Sequence, residues 1–231
     1  MRKIVIIPAY NEQNNIIEVV DDIKKNAPSF DYVIINDGST DDTIDLCRRE
    51  SFNTIDLPVN LGIGGSVQTG YIYALENGYD VAVQFDGDGQ HEAKYLEKMY
   101  DEMIRTGSDM VIGSRYLSKN GFQSTTLRRF GTGFLSLLIK ILHKQQIRDV
   151  TSGLRMVNKK LLTAFSENYP YDYPEPETVA FCMRKKFKIT EVPVTMRPRG
   201  KGCSSIGSIQ SVYYMFKVSF SIIIDYFNRL D

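Results

Sequence analysis

The stretch Gln84-Phe85-Asp86-Gly87-Asp88-Gly89-Gln90-His91 concentrates more chemistry than any other part of the 231-residue chain. Two carboxylates spaced i, i+2 leave an apolar run, Val81-Ala82-Val83, through glycines that permit a tight turn and close backbone approach. Hard divalent cations such as Mg²⁺ or Mn²⁺ take carboxylate and other oxygen ligands, and Mg²⁺ often shares its shell with substrate phosphates. Asp88 is the first candidate ligand, with Gln90 and Asp86 next to it. Asp and Gly are also ordinary turn residues, so the triplet gains meaning only from its surroundings. A calcium-loop reading fails: His91 stands where the loop needs Gly, and a strand precedes it where a helix is required.

The elements that must hold these residues alternate. Ile4–Ile7 reads as a strand and Gln13–Lys25 as a helix with Ile16, Ile17, Val20 and Ile23 on one face. Tyr32–Ile35 is a strand, and Ser39-Thr40-Asp41-Asp42 offers caps for a helix to about Glu50. Thr54–Leu57, Val81–Phe85 and Met110–Ile112 read as strands, Ser66–Asn77 and Lys94–Thr106 as helices. Repeated βα units predict an α/β fold with a mostly parallel sheet flanked by helices. Ligands in such sheets bind beyond the carboxyl ends of the strands, where the Asp86/Asp88 pair and Asn36-Asp37-Gly38-Ser39 both fall. After Gly113 the pattern changes. Leu127–Leu142 is an apolar helix-compatible stretch, Pro170, Pro174 and Pro176 punctuate a loop before a helix at Glu177–Lys186, and Ile189–Val194 is a strand. Arg197–Ser205 is a Gly- and Arg-rich loop, and Ile206–Phe227 is rich in Tyr, Phe, Ile and Val.

Composition bounds the reading. With 42% hydrophobic and 24% charged residues the chain is ordinary for a globular protein. Cys47, Cys182 and Cys203 are scattered and fit no metal spacing, which suggests a reduced compartment. The opening strand predicts no signal peptide, and no apolar stretch reaches the roughly 20 residues that span a bilayer. Net charge is zero, yet residues 1–115 carry 10 Lys+Arg against 20 Asp+Glu, and residues 116–231 carry 18 against 8. The basic second half is expected to face something anionic: nucleic acid, a membrane surface or a phosphorylated substrate.

Four motifs line up in order: Pro8-Ala9-Tyr10-Asn11-Glu12, Asn36-Asp37-Gly38-Ser39-Thr40-Asp41, Asn60-Leu61-Gly62-x-Gly64 and Asp86-Gly87-Asp88-Gly89-Gln90-His91. Together they resemble the family-two inverting glycosyltransferases, which use a nucleotide-sugar-binding A-type fold. Gly113-Ser114-Arg115, Arg148-Asp149-Val150-Thr151-Ser152-Gly153-x-Arg155 and Arg199-x-x-Gly202-x-Ser204 extend the likeness to the polyprenyl-phosphate or dolichol-phosphate hexosyltransferases, over about residues 3–205. Two departures are Asn36, where many relatives carry Asp, and Pro174-Glu175-Pro176-Glu177, where many sugar-acceptor relatives carry a catalytic Glu-Asp pair. The second puts a protein-derived general base in doubt.

The resemblance implies a hexose or N-acetylhexosamine passing from a UDP-sugar to a polyprenyl (undecaprenyl) phosphate, for cell-surface polysaccharide, with Mg²⁺ or Mn²⁺ on the diphosphate. Asp88 and Gln90 would hold the metal; Asp86 would hold it too, or face the ribose. Asp37 offers an acceptor for a pyrimidine N–H, and Pro8, Ala9, Tyr10 and Glu12 resemble the wall of the nucleotide pocket, joined by Arg115. Glu12 and Asp37 also read as capping and turn groups. Gly62 and Gly64 suit either phosphate approach or backbone packing. A phosphate monoester is largely dianionic at neutral pH, so it needs cations to position it and no base. Arg128 or Arg129, Arg148 and Arg199 could bracket it, the alternative being solvated surface charges. Ser152, Arg155 and Glu177 could contact phosphate or donor sugar, and His91 could support the metal loop.

The expected organisation is a catalytic domain over 1–205 and an apolar C-terminal helix over 206–231. That helix and Leu127–Leu142 either cover the core or lie as amphipathic helices in the headgroup region at the cytoplasmic face of the cell membrane. A small membrane protein or a second copy of the chain are alternative partners for the tail. Competing functions are transfer to a saccharide hydroxyl with Glu177 or Glu175 as base, and a silent nucleotide-sugar-binding regulator. Nucleic-acid binding is disfavoured, because the basic half adjoins a strongly acidic one and carries no recognised module.

Overall fold

The computed structural model describes residues 1–117, 126–171, 174–198 and 208–227. In chain order the elements are β1 (Lys3–Ala9), α1 (Ile16–Asn26), β2 (Asp31–Asn36), α2 (Thr43–Arg49), β3 (Thr54–Asp56), α3 (Gly62–Glu76), β4 (Val81–Gln84), a 3-10 turn (Ala93–Tyr95), α4 (Leu96–Thr106), β5 (Met110–Ser114), α5 (Thr126–His143), β6 (Arg155–Asn158), α6 (Lys159–Glu167), α7 (Pro174–Arg184), β7 (Ile189–Pro193) and α8 (Ser208–Phe227). The sheet order is β3-β2-β1-β4-β6-β5-β7. All pairs are parallel except those of β6, which runs antiparallel to β4 and to β5.

The continuous run Ile4–Ile7 is fully buried because helices cover both faces of the sheet. Alternation sends Ile4 and Ile6 to one core, with Val67 and Tyr71 of α3, Leu135 and Ile139 of α5, and Val218 and Ile222 of α8. Val5 and Ile7 go to the other, with α1 and α4. In α1 the buried Ile16, Val19, Val20 and Ile23 recur at helical spacing. Of the expected α1 face, Val19 buries in place of Ile17, which packs only partly against the core.

The strand and helix alternation through β5 matches the sequence expectation, and three differences appear along the whole chain. First, α3 begins at Gly62, four residues before the expected Ser66. Second, α7 begins at Pro174, so Pro174 and Pro176 sit in a first turn, where a missing N–H costs no helical hydrogen bond. Third, β6 and α6 had no sequence signal. β6 is four residues long and starts on a buried arginine, so it shows no apolar alternation. α6 is marked by its cap, Asn158, whose Oδ1 accepts from the Leu161 amide at 3.0 Å. Cys47 and Cys182 are buried free thiols; Cys203 lies outside the described residues.

Candidate active site

The carboxyl ends of β1, β2 and β4 lie side by side, and their loops are laced together. The Asn11 amide donates to Ser39 Oγ at 3.0 Å, and the Thr40 amide to Asn11 Oδ1 at 2.8 Å. The Glu12 amide donates to Thr43 Oγ1 and the Asp42 amide to Gln13 Oε1, each at 2.9 Å. Asn11 sits at φ 58°, a left-handed turn that Asn tolerates. These bonds use short polar side chains as turn and loop ties. They leave Pro8 and Ala9 buried and Tyr10 exposed at the strand end.

Asp37 ends β2 with 4% of its surface exposed. Its Oδ1 accepts the Leu61 amide at 2.7 Å, and its carbonyl accepts from Asn60 Nδ2 at 3.0 Å. Burial pushes its pKa up, opposed by the Leu61 and Gly62 amides. Gly64 is demanded by packing. A Cβ there would stand 2.2 Å from the Pro170 carbonyl oxygen, and its amide already donates to the Tyr171 carbonyl at 3.1 Å. Backbone packing therefore accounts for Gly64, and the phosphate approach considered for it has no amide to use. Gly62, at φ 77°, has open space where a Cβ would point.

The metal-loop candidates follow β4. The Gly87 amide donates to the Pro8 carbonyl at 3.3 Å, and a Cβ on Gly87 would come within 3.0 Å of that oxygen and 3.6 Å of Glu12 Cγ. Glycine thus lets the loop lie against β1 and brings Glu12 to Asp86-Gly87-Asp88. Asp88, 8% exposed, accepts the Gln90 amide on Oδ1 at 3.0 Å. Gln90 is tied to the segment after β7: its carbonyl accepts the Arg197 amide at 2.9 Å, and its Nε2 donates to the Arg197 carbonyl at 3.3 Å. That orients the side-chain amide, with Oε1 as the oxygen it could offer a metal. Asp86 Oδ2 is 3.1 Å from Nε2 of buried His91, whose ring packs edge-on to Phe85 at 5.3 Å.

Among the described residues no group of three His, Cys, Asp or Glu side chains could enclose an ion by itself. Two carboxylates and one amide oxygen are what the loop offers. That partial set fits Mg²⁺ or Mn²⁺ completed by water and substrate phosphate, and does not fit an all-protein cage.

Two residues expected to touch ligand lie beneath the site instead. Ser152 is fully buried; its Oγ donates to the Gly113 carbonyl at 2.6 Å. Arg155 is 1% exposed, and its guanidinium donates to the Ser152 and Val150 carbonyls and to Thr178 Oγ1. Both are consumed by the protein and have no surface left for a substrate. At the start of α7, Glu175 is in electrostatic contact with Asp86. Burial raises its pKa, Arg155 opposes this, Asp86 adds to it, and a hydrogen bond with Gln84 lowers it. Glu177 is two residues on, about 200° round the helix.

Arg115 joins the acidic and basic halves. Its Nε and Nη2 form a bidentate pair with Asp149 at 2.8 and 2.7 Å, and its amide donates to the same carboxylate at 2.9 Å. Burial works against the guanidinium's charge, but the Asp149 pair outweighs it; Asp86 also lies within its electrostatic reach. Asp149 is itself set by Glu191 of β7, whose two oxygens accept the amides of Arg148 and Asp149, each at 2.9 Å. Next to this pair a groove of about 420 Å³ is lined by Tyr116, Arg129 and Arg148, among others. Arg199 and the Arg128 side chain lie outside the described residues. Gly153, Asp149 and Glu191 had no assigned role in the sequence reading, and Glu175 entered it only as an alternative base. Asp149 and Gly153 stand inside the Arg148–Arg155 motif, which was their only signal.

A sheet of this order with acidic strand ends and a Gly-Ser-Arg strand terminus defines a glycosyltransferase of the A-type fold. The chain belongs to glycosyl transferase family 2, which it matches over residues 4–165. It is 26% identical over 234 residues to the polyprenol monophosphomannose synthase of Mycolicibacterium smegmatis, covering 94% of this chain and 86% of that one. It is 31% identical over 210 residues to the UDP-N-acetylglucosamine–dolichyl-phosphate N-acetylglucosaminyltransferase of Methanococcus voltae, covering 82% and 83%. Glucosyl-3-phosphoglycerate synthase from Mycobacterium tuberculosis, solved with Mn²⁺, UDP and glucosyl-3-phosphoglycerate, shares the fold with a TM-score of 0.69 at 19% identity, covering 99% and 79%.

Proposed function

We propose that this glycosyltransferase moves a hexose or N-acetylhexosamine from a UDP-sugar to a polyprenyl phosphate, with inversion, at the cytoplasmic face of a membrane. The observation that carries the reading is the position of Arg115, paired with Asp149 in the basic loop and within electrostatic reach of Asp86 in the acidic one. The pair thus ties the acidic loop, where the donor would bind, to the basic segment, where the acceptor phosphate would bind.

The residues divide the work. Asp37 and the Pro8–Glu12 segment receive the nucleotide. Asp88, Gln90 and Asp86 hold Mg²⁺ or Mn²⁺, which when bound neutralises charge on the leaving diphosphate. His91 and Gly153 fix Asp86. Arg129, Arg148 and Arg199, with Arg128, place the acceptor phosphate. That nucleophile is already ionised, so attack at the anomeric carbon needs alignment and no proton transfer. Among the described residues no helix is long and apolar enough to cross a membrane. Access to a lipid then falls to α5 and α8, which expose Phe130, Phe134 and Phe220.

A second reading is transfer to a saccharide hydroxyl, favoured by the raised pKa of Glu175 beside Asp86. One experiment separates the two. Pure protein with Mn²⁺, a short-chain polyprenyl phosphate, a saccharide acceptor and a panel of nucleotide sugars should give a glycosyl lipid phosphate by mass. Asp88→Ala should abolish it together with Mn²⁺-dependent UDP binding. Product on the saccharide alone, lost in Glu175→Gln, would replace the first reading with the second.

A further inference from the structure

We infer that the groove along α5 holds, at its Lys140 end, the phosphate of an anionic glycerophospholipid, separate from the acceptor phosphate. This rests on the proposed lipid-phosphate reaction only in taking a bilayer as the enzyme's working surface.

Arg129, Lys140 and Arg148 line the groove together with Tyr116, Leu137 and Gln146. Several cations elsewhere are held by carboxylates, as in Arg115–Asp149, Arg48–Asp56 and Lys3–Glu97. Among the described residues none lies in ion-pair range of these three side chains. The two oxygens of nearby Glu191 are already engaged by the Arg148 and Asp149 amides. The Tyr116 hydroxyl is buried and has no hydrogen-bond partner among the described residues. Buried hydroxyls are normally paired, and uncompensated cations beside one make a site whose complement is an anion rich in acceptor oxygens.

Position on the helix distinguishes this anion from the acceptor. Arg129 and Lys140 are eleven residues apart on one helix, roughly 16 Å along its axis. The proposed acceptor phosphate is assigned to Arg129 and Arg148 with Arg128 and Arg199, so Lys140 is the cation of the groove that the acceptor does not use.

The neighbouring apolar surface identifies the source as a bilayer. Phe130, Phe134, Leu137 and Ile141 recur at i, i+4, i+7 and i+11 on α5 and are exposed by 77%, 47%, 55% and 66%. This stripe faces away from Leu135 and Ile139, which are fully buried. On α8, which packs against α5 through the edge-on rings of His143 and Tyr226, Phe220, Ile224 and Phe227 are likewise exposed while Val218 and Ile222 are buried. Leu137 belongs to both the stripe and the groove. A helix lying in an interface puts its apolar face into the acyl boundary and a bordering lysine at the depth of the phosphates.

The test compares the intact chain with Lys140→Glu, an exposed position whose reversal leaves the core untouched. Each is sedimented with vesicles of phosphatidylcholine alone and of phosphatidylcholine containing phosphatidylglycerol. Each is also assayed for turnover on a short-chain polyprenyl phosphate in neutral detergent. The expected result is salt-sensitive binding to the phosphatidylglycerol vesicles, weakened about tenfold or more by Lys140→Glu, with detergent turnover unchanged. Equal binding of the two proteins to the anionic vesicles overturns the inference. So does loss of detergent turnover in Lys140→Glu, which would assign the lysine to the acceptor site. Lys140-dependent binding of inorganic phosphate, with vesicle binding indifferent to phosphatidylglycerol, overturns the lipid source in favour of a soluble anion. Failure of the unmodified protein to glycosylate any lipid phosphate would overturn the proposed reaction instead, and the vesicle comparison would still decide this site.

Discussion

Gly153 packs directly against Asp86: a Cβ on Gly153 would stand 2.5 Å from Asp86 Oδ2 and 3.0 Å from Oδ1. The loop before β6 therefore fixes the carboxylate from one side, while His91 Nε2 fixes Oδ2 from another at 3.1 Å. Gly153→Ala should push Asp86 off this position without opening the core. Misplacing a ligand-orienting group costs metal affinity about 10–100-fold. Mn²⁺-dependent UDP binding by calorimetry should weaken by that factor, while metal-free UDP binding and the melting temperature change little. Unaltered Mn²⁺ dependence would show that Asp86 stands outside the coordination shell.

The Arg115–Asp149–Glu191 chain makes a second prediction. Asp149→Asn replaces one oxygen of a buried bidentate pair by an amide, so the guanidinium loses a matched partner. KM for the acceptor should rise about tenfold or more, the scale of one charge-assisted hydrogen bond, with kcat less affected. Glu191→Gln should reproduce the acceptor effect in weaker form, since it reaches Arg115 only through the 148–149 backbone. If both variants change kcat and leave the acceptor KM alone, the chain serves the donor side.

How far the residues announced this arrangement depended on what kind of contact held them. Ile4–Ile7 and Val81–Val83 were legible because both sheet faces are covered, so apolar runs mark the strands directly. The ligands on strand ends were legible because Asp, Gly and Gln at a turn are chemically conspicuous. β6 was hidden because its first residue is a charged arginine satisfied by two carbonyls and a hydroxyl, a partnership no local pattern encodes. Ser152 and Arg155 looked like ligand contacts for the same reason: polarity was visible in the sequence, and burial was not. Gly64 was ambiguous because its neighbour, the Pro170–Tyr171 backbone, is more than a hundred residues away in sequence.

Asp37 links pH to stability and to binding with opposite signs. Burial holds its folded pKa above the ordinary 3.8. The native state then keeps its proton longer than the unfolded chain, so this group's contribution to stability declines as pH rises from the unfolded value through the folded one. Asp37→Asn, which keeps an acceptor for the Leu61 amide, should match the parent in acid and melt higher at neutral pH. In the proposed pocket the ionised carboxylate accepts a pyrimidine N–H. UDP affinity should therefore fall as pH drops through the raised pKa, and the Asn variant should bind UDP about 10–100-fold more weakly at neutral pH. Calorimetric melts and UDP titrations across the acid range check both signs; tighter UDP binding by the Asn variant would remove Asp37 from base recognition.

Arg155 is the last test, because its burial makes it structural while its charge reaches the site. Its three donors satisfy the Ser152 and Val150 carbonyls and Thr178 Oγ1, and so tie the loop before β6 to the N-terminal half of α7. Arg155→Met keeps much of the volume and leaves two buried carbonyls unpaired, at about 1–3 kcal/mol each, for a loss of about 2–6 kcal/mol in urea unfolding. Arg155→Lys should not rescue it, since one ammonium cannot reproduce a planar fork spanning three acceptors. The arginine also opposes the raised pKa of Glu175. In any variant that still folds, Glu175 should therefore hold its proton to higher pH, and a carbonyl-region infrared titration against Glu175→Gln would read that change directly. A variant as stable as the parent would mean that water reaches those carbonyls and that the arginine's place beneath the site is needed for its charge alone.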